Sequence, residues 1–259
     1  MKEQAKVFLK QHAHLAKVKR FSWIVVTDKQ PAGTYGAVDY KPFTGNIFAC
    51  DEDFVGVKRG RESFLIVIDR HTLPNHGQDL VPGMKITVTP YARHTFDGRR
   101  LDGIVEEEIR PEGITVRKFT LNPKVEIPVP EAFKEHINLM QMVEQLEHIK
   151  SEKTGHTCAQ MLADAGLSNP QIPEILDDQH GPEGLRIRFH INNQKACGIF
   201  EFKYNYAADS YFAQLISQEG DVLSEVDDFY FDQMAEVVES MVDDHNWAIA
   251  KVEVLKRAA

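Results

Sequence analysis

The sequence predicts an α+β protein of two modules, a small antiparallel β-barrel-like N-terminal domain and an acidic α+β domain in which helices precede an antiparallel sheet with helix cover. Three observations carry this reading. Short apolar runs broken by turn residues fill about residues 36–119, with no helical pattern between them. Pro123, Pro128 and Pro130 then fall within ten residues, where they cannot donate ladder hydrogen bonds and hold the chain extended. Charge changes sign across that stretch: residues 1–125 hold 20 Lys and Arg against 15 Asp and Glu, a balance of +5, whereas residues 126–259 hold 10 against 24, a balance of −14. Opposite balances in the two halves favour modules with different partners. The expected boundaries are 1–120 for the first domain, 121–130 for a Pro-rich linker and 131–259 for the second.

Each element follows from local pattern. Residues 2–19 put Ala5, Phe8, Leu9, Ala13, Leu15, Ala16 and Val18 on one stripe among lysines, which predicts an amphipathic helix. Phe21–Val26 is β-branched and aromatic and reads as a strand. Further strands are expected at Phe43–Ala49, Phe54–Val57, Ser63–Ile68, Met84–Thr89, Leu101–Ile109 and Ile114–Phe119, punctuated by Gly60, Pro82-Gly83, Asp97-Gly98 and Gly113. Beyond the linker, Phe133, Ile137, Met140, Val143, Leu146 and Ile149 recur at steps of three or four, which predicts a helix over Glu131–Lys153 opened by Pro130. Shorter helices are expected at Thr157–Ala165, stopped by Gly166, and at Pro170–Asp177. Leu185–Ile191, Cys197–Tyr204 and Ser210–Ile216 read as strands, Asp228–Asp244 as an acidic helix and Trp247–Leu255 as a closing strand.

The chain has 259 residues with 42% hydrophobic and 27% charged, which excludes collagen-like, coiled-coil and mostly disordered classes. No stretch approaches the roughly 20 apolar residues that span a bilayer, so no membrane partner is expected and a cytoplasmic setting is the default. Cys50, Cys158 and Cys197 are an odd number at wide spacing, signalling neither a disulfide framework nor a zinc site.

Within residues 40–103 the order of small features resembles the KfrB-type domain of plasmid and conjugation proteins. The matching features are Gly45-Asn46-Ile47 opening a strand, Asp53-Phe54-Val55 beginning the next, Asp69-Arg70-His71-Thr72-Leu73 after a strand, Pro82-Gly83-Met84-Lys85-Ile86 leading into another, and a turn at Asp97-Gly98. The resemblance covers about a quarter of the chain. It implies a mobile-element origin and a binding role, and it brings no catalytic residues.

The sharpest functional signal is electrostatic. Between Lys203 and Lys251 there is no Lys or Arg, while Asp209, Glu219, Asp221, Glu225, Asp227, Asp228, Asp232, Glu236, Glu239, Asp243 and Asp244 supply eleven carboxylates. Such a run is commonly a solvated face that keeps a protein dispersed. It also suits docking on a basic surface, and the most basic surfaces in a cell belong to proteins that bind nucleic acid. The expected partner-binding residues are Glu225, Asp227, Asp228, Asp232, Glu236, Glu239, Asp243 and Asp244, with Phe229 and Tyr230 as aromatic anchors. The implied function is non-enzymatic: a nucleic-acid-mimicking inhibitor of a basic, nucleic-acid-handling protein complex, of the anti-defence or anti-CRISPR type. The alternative is a nucleic-acid-binding accessory protein of plasmid maintenance or conjugation, gripping phosphates with Lys58, Arg59, Arg61, Arg93, Arg99 and Arg100 beside Phe96, Tyr91 and Tyr40.

Catalytic motifs are sparse. Glu201 and Lys203 match the Glu-x-Lys half of a metal-dependent nuclease site, a weaker alternative, but no Asp falls in the preceding strand and a cross-strand ion pair is the better explanation. No His or Cys pair has zinc-site spacing, and there is no phosphate-binding glycine loop or nucleophile elbow. The sequence therefore implies no cofactor.

Overall fold

The computed structural model describes residues 1–29, 32–33, 36–37, 39–60, 63–102, 105–119, 123–166, 168–172 and 185–258. The chain is α+β and divides into two compact units. The first comprises Met1–Ala92, Asp102–Asn122 and Asn246–Ala259, and the second Arg93–Leu101 and Pro123–His245. These differ from the boundaries expected from sequence. The last 14 residues join the first unit and a nine-residue excursion joins the second.

The first unit is built on a six-stranded sheet in the order Ser22–Val26, Phe64–Asp69, Phe54–Lys58, Phe43–Cys50, Lys85–Thr89, Lys251–Lys256. It is an open sheet: among the described residues its two end strands do not pair, so the expected barrel closure is absent. Ser22–Val26 runs parallel to Phe64–Asp69, and every other neighbour is antiparallel. The closing strand Lys251–Lys256 pairs with Lys85–Thr89 across more than 150 residues of chain. Both faces are covered, which explains why Phe64–Ile68 is a continuous apolar run and not an alternating one. Leu65 and Val67 face the amphipathic helix Lys2–His12 through Ala5, Phe8 and Leu9, while Ile66 and Ile68 join Ile47, Val57, Ile86 and Val88 on the other side. Val105–Ile109 and Thr115–Phe119 form a separate hairpin.

The second unit carries a four-stranded antiparallel sheet in sequence order: Leu185–Asn192, Cys197–Asn205, Ser210–Ser217 and Val222–Phe229. One face holds an aromatic stack of Phe189, Phe200, Phe202, Tyr211 and Phe229, with ring centroids 5.2–6.4 Å apart. Helix Cys158–Gly166 lies between Leu185–Asn192, Ile137–His148 and Met234–Val242, and seven of its nine residues are buried. Gly166 ends it for a reason other than left-handed backbone: a Cβ there would stand 1.6 Å from the His190 carbonyl oxygen.

Three sequence expectations change here. The helix expected over Glu131–Lys153 spans Ile137–His148, capped by the His136 ring accepting from the Leu139 N–H, and its buried stripe is Leu139, Met142, Val143 and Leu146. Ile137, expected inside, is 72% exposed. The segment expected as a linker belongs to the second unit from Pro123 on: Val125 and Ile127 are buried, and the Ile127 N–H donates to Glu147 Oε1 at 2.7 Å. Asp228–Asp244 is not one helix, because Val222–Phe229 is a strand and the helix begins only at Met234. Most of the helix expected at Pro170–Asp177 lies outside the described residues.

Candidate docking surface

The edge of the four-stranded sheet gathers most of the predicted acids. After the Ser210–Ser217 strand the chain turns at Gly220, φ +95°, with the Ser217 hydroxyl accepting from the Glu219 and Asp221 N–H groups. The returning strand pairs Leu215, Gln214 and Ala213 with Ser224, Glu225 and Val226. Two register irregularities flank this stretch, and Asp228 sits at φ +52°, a conformation Asp tolerates better than most side chains. A turn of 3₁₀ helix, Phe231–Gln233, then leads into Met234–Val242. Glu225, Asp227, Asp228, Asp232 and Glu236 are all exposed on this path, as is Tyr230 at 50%. Glu236 stands in the first turn of its helix, where the macrodipole favours a negative charge.

Three predicted members are not on the surface. Phe229, at 2% exposure, packs on Phe202 and Tyr211 and is core, not anchor. Glu239 is buried and accepts from the Ser151 hydroxyl, with Lys153 Nζ 3.9 Å away. Asp243 is buried and accepts the His245 N–H at 2.8 Å. The helix period explains the last two: Val238, Met241 and Val242 turn inward, and Glu239 and Asp243 turn in with them. Asp244 is half-buried and accepts the Gln194 N–H at 3.0 Å. Sequence reasoning missed Val222, Leu223 and Phe231, which are exposed at the same edge. The signal that could have found the edge strand is the turn residue Gly220 followed by Val222, Leu223 and Val226.

The arginine loops of the alternative reading fall in different units. Lys58 and Arg59 belong to the first unit, and Lys58 Nζ donates to the Ala16 carbonyl at 3.0 Å, closing the end of the N-terminal helical segment. Arg61 lies outside the described residues. Arg93, Arg99 and Arg100 belong to the second unit, in a tight excursion where the Thr95 N–H donates to the Arg99 carbonyl and the Leu101 N–H to the Arg93 carbonyl. Phe96 of this excursion is buried on Phe189, Arg93 is buried, Arg100 is half-buried and Arg99 is exposed.

Glu201 is 1% exposed on the opposite face of the sheet from the aromatic stack. Its Oε1 accepts from Lys203 Nζ at 2.7 Å and Gln214 Nε2 at 2.9 Å, and its Oε2 from Arg188 Nε at 2.6 Å. Burial opposes its ionisation, but the hydrogen bonds and charges of Lys203 and Arg188 prevail and hold the carboxyl below its usual range. Both oxygens are therefore committed to a cross-strand ion-pair network. Among the described residues no three His, Cys, Asp or Glu side chains come together as a metal site.

Two histidines beside the Asp164 carboxylate form the other titratable group. His94 Nε2 lies 2.8 Å from Asp164 Oδ1, and His156 Nδ1 lies 3.9 Å from Asp164 Oδ2. Burial disfavours charged His94, yet Asp164 outweighs it and the imidazole pKa is raised. For His156, burial and then the charges of Arg93 and His245 push the pKa down to about 4.

No protein-family model, curated protein or solved structure matches this chain. No helix among the described residues is long and apolar enough to cross a membrane.

Proposed function

We propose that this chain is an interaction protein that lays the acidic edge of its second unit on a basic, nucleic-acid-handling protein complex and blocks it as a nucleic-acid mimic, in the manner of anti-defence inhibitors carried by mobile elements. One observation carries the reading: Glu225, Asp227, Asp228, Asp232 and Glu236 are exposed along one continuous path that contains no Lys or Arg. Like charges so placed repel, and a cationic partner relieves that repulsion. Tyr230, beside them and half exposed, supplies an aromatic contact. The KfrB-like order of features supports a plasmid or phage origin. Asp69 ends its strand and caps the turn Arg70–Thr72 by accepting from the His71 N–H, and Pro82-Gly83 precedes Lys85–Thr89.

The test is capture from host lysate at about 0.1 M and about 0.5 M salt with the natural chain and with Glu225→Lys, Asp227→Lys, Asp232→Lys and Glu236→Lys combined. A basic protein assembly, retained without nucleic acid at low salt and lost both at high salt and by the variant, is the expected result. Equal recovery by a well-folded variant overturns the proposal.

A further inference from the structure

Val222–Phe229 is the outermost strand of its sheet, and among the described residues only Ser210–Ser217 pairs with it. Side chains on both of its faces are exposed: Val222 and Leu223 each at 54%, with Ser224, Glu225, Asp227 and Asp228. A strand in that position presents a row of main-chain donors and acceptors that template another strand. Over its eight residues this edge has no lysine or proline, and its carboxylates and two register irregularities limit which strands can add to it.

Its charge decides what can pair with it. A second copy would crowd six carboxylates, Glu225, Asp227 and Asp228 of each strand, along one seam, and like charges so placed repel. An extended segment with Lys or Arg at alternate positions would instead oppose cations to Glu225 and Asp227, and the apolar residues between them would cover Val226 on the other face.

We propose that this edge takes an extended basic segment of its partner protein as a fifth strand, so that main-chain pairing supplies affinity and the alternating cations supply selection. This deepens the docking reading above and rests on it.

The test uses the full chain and a fluorescent, end-blocked peptide alternating lysine and valine over eight residues. It is compared with a peptide carrying glutamate for lysine and with two peptides N-methylated at every second amide, one in each phase. Methylation removes main-chain donors and leaves charge unchanged. The expected result is at least about a tenfold loss of affinity for the glutamate peptide and for one methylation phase only. Main-chain amides along Val222–Asp227 should also gain protection from hydrogen exchange when the parent peptide binds. If both methylated peptides bind like the parent and those amides stay unprotected, strand addition is wrong while electrostatic docking stands. If the parent peptide does not bind, or binds the charge-reversed variant equally, both readings fail. Protection of the edge without peptide, together with a dimer in sedimentation, would make the occupant a second copy and overturn the proposal.

Discussion

Replacing His156 by Gln probes the buried cluster around Asp164 through pH. In the folded chain His156 stays neutral down to about pH 4, because burial and the facing charges of Arg93 and His245 disfavour its cation, whereas unfolded histidine titrates near 6.5. The folded value lies below the unfolded one, so the contribution is present in full above pH 6.5 and is lost as pH falls from 6.5 to about 4. At about 1.4 kcal/mol for each pH unit between the two values, the loss is about 3 kcal/mol. His94 acts with the opposite sign: its raised value makes its contribution complete below 6.5 and fading as pH rises through the folded value. The second unit should therefore be most stable near neutrality on account of this pair. Urea unfolding at pH 7.5, 6, 5 and 4, followed by the Met161 methyl signal in the buried helix Cys158–Gly166, measures it. The stability difference between the natural chain and His156→Gln should shrink or reverse by about 3 kcal/mol toward pH 4. A difference constant with pH, or a His156 ring that titrates near 6.5 by NMR, would refute the reasoning.

Other perturbations separate surface from core. Phe229→Ala should destabilise the second unit by about 3–5 kcal/mol, while Tyr230→Ala should leave the unfolding midpoint within about 0.5 kcal/mol and weaken partner capture. Glu201→Leu strands the half-buried Arg188 and Lys203 and should cost about 2 kcal/mol by chemical denaturation. Gly166→Ala forces a methyl against the His190 carbonyl and should cost about 1–3 kcal/mol or prevent folding, read from soluble yield and melting temperature. A thiol reagent at pH 8 should modify exposed Cys197 first and Cys158, buried and with its pKa pushed up to about 12, only after unfolding, as peptide mapping would show.

Strand positions were largely legible in the sequence because β-branched runs bounded by Gly, Pro and Asp report local chemistry: Phe43–Cys50, Phe54–Lys58, Phe64–Asp69 and Cys197–Asn205 lie within two residues of expectation. Partnership was not legible. Nothing in Lys251-Val252-Glu253-Val254 says that it completes a sheet begun by Ser22–Val26, because pairing depends on chain closure over long separations and not on local pattern. The linker failed for a related reason: prolines specify extension, and whether an extended segment packs is decided by the Val125 and Ile127 side chains and the helix they meet. In the candidate docking surface, composition pointed to the acids, and helix phase then removed Glu239 and Asp243 from it.

The passage of the chain between units at 92/93, 101/102, 122/123 and 245/246 bears on how the protein is made. A ribosome delivers the whole of the second unit before the strand Lys251–Lys256 emerges, so Lys85–Thr89 waits through most of translation with one side unpaired. Chains truncated after His245 should therefore resist proteolysis in the second unit while the first remains cleavable. The order of folding on the ribosome would then run against the order of the sequence.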